Sequence, residues 1–530
     1  MKKYFNVDGV CFPDEHYMVN IDERVKEIRE LVDAKKYFVI NRARQYGKTT
    51  TIHMLSRKLV DQYAIFSISF EGMLDAAYVN ESAFCRRIFG LLYDTMYYGE
   101  VNGISEALKE ECRELSLERA KDVDFRRLSN FISSLCAVSE RPVVLIIDEV
   151  DQASNQSIFL GFLGMLRDKY LKRKNRPTFQ SVILAGVYDI KNLKLKIRSD
   201  AGQQYNSPWN IAARFPVNMS FSVNDIAGML REYELDNNTG MDIDMVAKII
   251  FEYTAGYPFL VSYISKAIDE HAVSSWVLDE HLGWTKDGIV EAVKVLLKEP
   301  NTLFEDMTKH LVEYPELSRM LQNILFSGRS YPYNAYNQAI SIGTMFGFII
   351  EKDGNVCISN RIFETHMYNY FLSEEISENR DPRFMPPDKN QFTHGCFLDM
   401  DLVMEKFMEH YSDIYRNADA CFLEENARRL FLLYLKPIIN GVGNYYIEAR
   451  TRDQGRTDII VDYHGKQYII EMKIYRGEEY NRKGEKQLSQ YLDAYHLTRG
   501  YLLCFNFNKN KRCEKKEISI DGKTILEIIV

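Results

Sequence analysis

The chain has 530 residues, a formal net charge of -8, 46% hydrophobic and 27% charged residues, and nine cysteines with no CxxC pair. This length suggests two to four domains, and the composition excludes general disorder, a wholly basic nucleic-acid coat and a disulfide-framed secreted module. No apolar run reaches the length of a membrane-spanning helix, and the opening MKKYFNVDGVCFPDEH lacks the apolar core of a secretory leader, so a cytoplasmic protein is expected. In chain order, Ile21, Val25, Ile28, Leu31 and Val32 recur at helical spacing and predict a helix over 21–36. A short apolar strand follows over 37–40, a helix over 48–60, a strand over 64–70, and a mainly helical stretch to about 138. The run Val143-Val144-Leu145-Ile146-Ile147 suits a strand buried on both faces of a parallel sheet. A helix over 157–173 and strands over 180–185 and 215–219 complete an alternation that argues for a doubly wound α/β domain. Residues 223–375 read as mostly helical, with strand-like pieces at 346–351 and 355–358. The polar segment Ser377–Asn390, with three prolines, reads as a linker. From Gly441 onward, 16 Lys+Arg stand against 13 Asp+Glu, a net +3 that suits phosphate or simply a solvated surface of mixed charge.

The segment after the first strand, Asn41-Arg42-Ala43-Arg44-Gln45-Tyr46-Gly47-Lys48-Thr49-Thr50, meets the phosphate-loop pattern GxxxxGK[ST] except that Arg42 replaces its first glycine. Backbone N–H groups at a helix start bind phosphate, a glycine lets the chain approach closely, and a lysine neutralises the β and γ phosphates. Arg44, Gly47, Lys48, Thr49 and Thr50 are therefore the candidate nucleotide contacts. About a hundred residues on, Asp148 ends a buried strand and is expected, with Thr49, to hold Mg²⁺, while Glu149 polarises the attacking water. Asp151 reads as a surface or capping acid.

Near the C-terminus, two apolar runs flank His464-Gly465, a hairpin signal. If Tyr463 faces Lys466, then Asp458 faces Glu471, with Cβ atoms about 5 Å apart. Lys473 lies two residues on and points to the same face. Two carboxylates so placed repel unless a cation lies between them, and hard oxygens suit Mg²⁺ or Mn²⁺. Removing either acid is then expected to leave the metal-free protein no less stable. A surface Lys–Glu ladder is the alternative, opposed by the apolar neighbours Ile459, Ile460, Val461, Ile469 and Ile470.

The stretches RARQYGKTT, VVLIIDEVD, AGVYD, SPWNIAARFPVNMSFS and YTAGYPFLVS resemble the AAA-like ATPase domain of bacterial proteins that often carry a C-terminal nuclease domain. The resemblance spans about 1–370 and implies a P-loop ATPase core over 1–222 and a helical, winged-helix-like lid over 223–375. Members of that family commonly have an Arg-rich stretch at the first glycine. Gly256-Tyr257-Pro258 resembles the glycine-proline motif of lids that pack on adenine, or is an ordinary helix break. Arg198 and Arg214 are candidate γ-phosphate arginines, each equally readable as a surface residue. After a linker over 376–395, residues 396–530 resemble the PD-(D/E)xK nuclease superfamily, a restriction-endonuclease-like α/β fold. The resemblance implies metal-binding acids at Asp458 and Glu471 and a catalytic lysine at Lys473. It also implies a Gln-x-x-x-Tyr element of the RecB-like branch at Gln487 and Tyr491, and an upstream metal-binding glutamate at Glu425, with Glu424 the alternative. The expected protein is an ATP-binding switch or motor joined to a Mg²⁺- or Mn²⁺-dependent nuclease acting on DNA, without a membrane and with self-association left open. The alternative is a nucleotide-dependent scaffold that binds DNA or protein partners without cleaving.

Overall fold

The computed structural model describes residues 2–98, 101, 103–120, 122–153, 156–187, 209–274, 283–327, 329–378, 391–394, 397–415, 420–439, 443–448, 457–463, 466–475, 478–506 and 513–530. Within these segments the side chains of 271–274, 327, 375–378, 394, 410, 412–415, 420–428, 443–448, 457–458, 478–481, 483, 487 and 494 lie outside the described set. The chain forms two compact units. One comprises Met1–Phe251, Gly256–His281 and Met345–Gly347, the other Glu252–Ala255, Leu282–Thr344 and Phe348–Val530.

The first unit begins with α1 (Asp22–Asp33), whose Val25, Ile28 and Val32 fall on one buried stripe. There follow β1 (Phe38–Asn41), α2 (Lys48–Leu59), β2 (Ala64–Ser69), α3 (Glu81–Tyr97), α4 (Glu106–Ser116), α5 (Phe125–Val138), β3 (Val143–Asp148), α6 (Ser157–Leu171) and β4 (Ser181–Gly186). Among the described residues these four strands make a parallel sheet in the order β1-β4-β3-β2. Every residue of β3 and β4 is buried, as a parallel sheet covered on both faces requires. The core packs Phe66, Phe84, Phe89, Phe131, Phe159 and Phe162 with Leu145 and Ile147. This is a P-loop-type α/β arrangement. Parallel strands bring their C-terminal ends to one edge, so the loop after β1 and the acids after β3 meet there, on either side of β4.

The strand expected over 215–219 is not formed. Among the described residues this stretch touches the sheet through one bridge, Phe38 to Ala213. Pro216 has no N–H to donate, which disfavours a ladder. Phe215 and Val217 are nevertheless buried, and the Phe215 ring stacks on Phe38 at 6.0 Å. The chain continues through α7 (Val223–Asn237), closed at its start by a Ser222–Asp225 capping box, then α8 (Ile243–Thr254), whose residues from Glu252 on belong to the second unit, and α9 (Pro258–Ser274).

The second unit holds α10 (Lys286–Lys298), α11 (Thr302–Glu313), α12 (Pro315–Ser327), α13 (Gln338–Met345), the hairpin of β5 (Ile349–Lys352) and β6 (Asn355–Ile358), and α14 (Arg361–Glu378). Residues 223–375 thus contribute to both units. The expected linker falls largely outside the described residues. Beyond it come the two-residue strands β7 (Thr393–His394) and β8 (Phe397–Leu398), then α15 (Met400–Tyr415) and α16 (Ala420–Ile439). A second sheet follows from β9 (Gly443–Glu448), β10 (Thr457–Tyr463), β11 (Lys466–Ile474), β12 (Arg499–Phe505), β13 (Glu514–Ile520) and β14 (Lys523–Ile529), with α17 (Glu478–Ala494) between β11 and β12. Its order is β13-β14-β12-β11-β10-β9, parallel at β11–β12 and β12–β14 and antiparallel elsewhere.

A buried ion pair fixes the hairpin to the helices of its unit. Lys294 Nζ on α10 lies 3.1 Å from Asp462 Oδ1 on β10, and the same ammonium bonds Glu291. Burial opposes the charge on Lys294, but Glu291 and Asp462 outweigh it and raise its pKa. Removing Asp462 leaves the buried ammonium with the half-exposed Glu291 alone, and a buried charge that loses a partner is costly. Asp462→Ala is therefore expected to cost about 3 kcal/mol of stability. Lys294→Met with Asp462→Leu should recover most of that loss in denaturant unfolding; a double variant as unstable as Asp462→Ala would contradict this account.

Candidate functional site

The first site lies at the start of α2. Gly47 caps the helix with φ 74°, a left-handed conformation that favours glycine, and open space surrounds the position a Cβ would take. The backbone there can meet a ligand closely. Lys48 is buried and its ammonium turns back into the loop, donating to the carbonyls of Arg42 at 3.1 Å and Ala43 at 3.0 Å. Burial lowers its pKa, against the pull of Glu149, Asp151 and Asp148. Thr49 Oγ1 donates to Asp148 Oδ2 at 2.9 Å, joining the helix start to the end of β3. These two hard oxygens suit Mg²⁺. Asp148 Oδ1 accepts the N–H of Glu149, which itself sits at φ 52°. A non-glycine residue in that region costs roughly 1–2 kcal/mol, and such strain gathers where a side chain must be aimed. Burial raises the Glu149 pKa, with Lys48 opposing and Asp148 and Asp151 adding to the rise.

Arg42 explains how the loop dispenses with its first glycine. Its guanidinium turns away from the helix start, donating to Val217 O at 2.7 Å and lying 5.1 Å over the Phe215 ring. Arg44 is exposed, yet its charge acts on both Lys48 and Glu149. The Thr50 hydroxyl faces elsewhere and accepts the N–H of Cys11 at 3.1 Å. Asp151 is half-buried and takes the capping alternative: its Oδ2 accepts the Val187 N–H at 2.5 Å, and a side chain on Gly186 would meet Asp151 Oδ1 at 2.7 Å. It ties the end of β4 to the turn that carries Glu149. Arg214 is exposed, and Arg198 lies outside the described residues.

The second site is on the C-terminal sheet. The hairpin register pairs Tyr463 with Lys466 and Asp458 with Glu471, as the turn arithmetic requires. Glu471 and Lys473 are both buried, with Lys473 Nζ 3.0 Å from Glu471 Oε1. The expected sign at Glu471 is thereby reversed: removing it strips a buried ammonium of a partner, which destabilises. The side chains of Asp458, Gln487, Glu425 and Glu424 lie outside the described set, although their backbones fall on β10, α17 and α16. Tyr491 is half-buried on α17, one helical turn from Gln487. Among the described residues, no group of three or more His, Cys, Asp or Glu side chains is arranged to hold a metal.

Three features here are not foreseeable from the motifs. The β9–β10 register sets Glu448 opposite Asp458, so Glu448, Asp458 and Glu471 occupy one row across three strands. Gly484, inside α17, makes room for the lysine: a Cβ there would fall 1.8 Å from Lys473 Nζ. A lone glycine within a helical pattern is the signal the sequence offers. Beside Lys473, Cys504 donates to the buried Glu527 at 3.7 Å, and burial, with Glu527 adding, pushes its thiol pKa up.

Residues 17–195 match the family model described as "Predicted AAA-ATPase". The N-terminal region is thus AAA-ATPase-like. No match was found among curated proteins. Similar solved structures include a Walker-type ATPase of Pyrococcus abyssi (12% identity, TM-score 0.46, covering 68% of this chain and 99% of that one). Others are the RuvB Holliday junction branch migration motor of Thermotoga maritima (13%, 0.32, 64% and 92%) and the Orc1 protein of Aeropyrum pernix in complex with DNA (12%, 0.30, 68% and 94%). No helix among the described residues is long and apolar enough to cross a membrane.

The raised Glu149 pKa has a stability consequence. The folded state holds this proton more tightly than the unfolded chain, so the contribution of Glu149 to stability falls as pH rises from the ordinary carboxylate range through the folded pKa. Above that window its buried charge is a standing cost. Glu149→Gln should therefore melt a few degrees higher than wild type at pH 7.5, with the gap closing toward pH 4. Equal melting temperatures at pH 7.5 would show that burial does not govern the charge on this carboxyl.

Proposed function

We propose that the chain binds and hydrolyses ATP at the loop before α2, and that its C-terminal sheet is a metal-dependent deoxyribonuclease. The observation carrying the first part is the convergence of Lys48, Thr49, Asp148 and Glu149 at one sheet edge, in a region that matches an AAA-ATPase model. Lys48 releases the loop carbonyls and meets the β and γ phosphates, while the backbone at Gly47 cradles them. Glu149, with its pKa raised by burial, is a stronger base than an exposed glutamate and takes the proton of the attacking water. Thr49 and Asp148 would hold Mg²⁺, which would supply positive charge against the phosphoryl oxygens.

The second part is supported by the Asp458–Glu471 register with Lys473 beside Glu471. The two acids would hold Mg²⁺ or Mn²⁺, and the lysine would stabilise negative charge developing on a scissile phosphate. Gln487 and Tyr491 would orient that phosphate from the helix above, and Glu425 would complete the metal set. DNA as substrate, ATP as the gate or drive for cutting, and self-association belong to the same reading.

Lys48→Ala should abolish nucleotide binding, whereas Glu149→Gln should bind ATP normally and turn it over at least about a hundredfold more slowly. Linear, circular and single-stranded DNA incubated with Mg²⁺ or Mn²⁺, with and without ATP, should be cut by wild type but not by Asp458→Ala or Lys473→Ala. ATP turnover without cleavage of any DNA form would leave a nucleotide-dependent binding module. Equal ATP affinity in wild type and Lys48→Ala would remove the ATPase assignment.

A further inference from the structure

The geometry points to Tyr257 as a positioning residue that holds the phosphate loop in shape when Lys48 leaves it for a nucleotide; this rests on the ATP reading above. In the nucleotide-free loop the ammonium itself bridges two loop carbonyls, those of Arg42 and Ala43. A phosphate that takes the ammonium deprives both carbonyls of that donor at the moment the loop must stay rigid. What remains comes from outside the loop. The Tyr257 hydroxyl donates to the Arg44 carbonyl, and the Tyr46 ring meets the Tyr257 ring edge-on at 4.7 Å. Tyr46 Oη is 2.6 Å from Ser220 Oγ. Gly347 closes over Ala43, where an added Cβ would come within 3.0 Å of the Ala43 Cβ. Of these contacts, the Tyr257 hydroxyl is the one that grips the loop backbone through a hydrogen bond.

The arm that carries Tyr257 is itself fixed. Gly256 adopts φ +74°, and a Cβ there would fall 1.9 Å from the Phe221 carbonyl oxygen, so no other residue fits. Phe221 N–H donates to the Gly256 carbonyl at 2.8 Å, and Pro258 starts α9 with its φ locked. Tyr257 is buried. The glycine–tyrosine–proline turn thus acts on the phosphate loop from α9, and loop occupancy and the position of that helix are mechanically joined.

Tyr257→Phe removes one hydroxyl and keeps the ring. Because Lys48 still braces the nucleotide-free loop, the variant should melt within about 2 °C of wild type. ATP and ADP affinities, read with a fluorescent analogue and by competition, should both weaken about five- to tenfold, the loss expected if this hydrogen bond, already present without nucleotide, is worth about 1 kcal/mol more once Lys48 has left the loop carbonyls. KM should rise by the same factor with kcat unchanged, the mark of lost uniform binding. A purely structural role would lower the melting temperature and leave affinity alone, and that result overturns the inference, as does equal affinity in both proteins. If wild type and Lys48→Ala bind nucleotide equally, or neither binds it, the ATP reading falls first. If only Lys48→Ala loses binding while Tyr257→Phe matches wild type, the inference alone falls.

Discussion

The rest of the N-terminal unit is arranged around one buried charge that has to be satisfied twice. The buried Lys48 ammonium is costly unpaired, so before any ligand arrives it bonds the Arg42 and Ala43 carbonyls. That demand brings two loop carbonyls inward and leaves Arg42 to turn outward onto Val217 and Phe215. It also gives the Val217 carbonyl a donor in a segment that is not a strand but whose Phe215, Val217 and Met219 are buried. The acid that ends β3, Asp148, and the two that follow it, Glu149 and Asp151, balance the lysine through space. Asp148 is tied down by Thr49, Asp151 by Val187, and Glu149 is left in a strained backbone with a raised pKa.

Much of this was legible in the sequence wherever a local rule fixes geometry. A two-residue turn sets its register by counting, so the Asp458–Glu471 pairing followed from His464-Gly465 alone. The all-apolar run of β3 announced a parallel strand, and alternation announced the α/β sheet. What was not legible depends on neighbours distant in the chain. Asp151 reads as a surface or capping acid, and which N–H it caps is not visible until the end of β4 brings Val187 beside it. Arg42 reads as a defect in the phosphate loop until Val217, 175 residues away, supplies its acceptor. The strand expected over 215–219 had the right apolar spacing but also Pro216, and the missing donor prevailed. Gly484 carries no meaning until Lys473 lies against it.

The two candidate sites share a physical design. Each places a buried lysine beside carboxylates on a sheet covered by helices, where the low dielectric makes each charge costly alone and strong in combination. In the first unit the lysine is braced by backbone oxygens it can exchange for phosphate. In the second, Lys473 is braced by Glu471, and breaking that pair by removing either residue leaves the other exposed to the same penalty. Variants that keep volume and hydrogen-bonding capacity, such as Glu471→Gln, therefore separate chemistry from folding better than truncation to alanine.

If Arg42 is a strut of the phosphate loop and no obstacle to nucleotide, glycine at that position should bring no gain in binding. A calorimetric titration of Mg²⁺-ATP into wild type and Arg42→Gly compares the two loops in one measurement. Arg42→Gly should bind no more tightly than wild type, because the freed Val217 carbonyl and the more flexible loop add no phosphate contact. Binding tightened tenfold or more in Arg42→Gly would contradict it, and would mean that the arginine holds the loop in a shape that excludes phosphate.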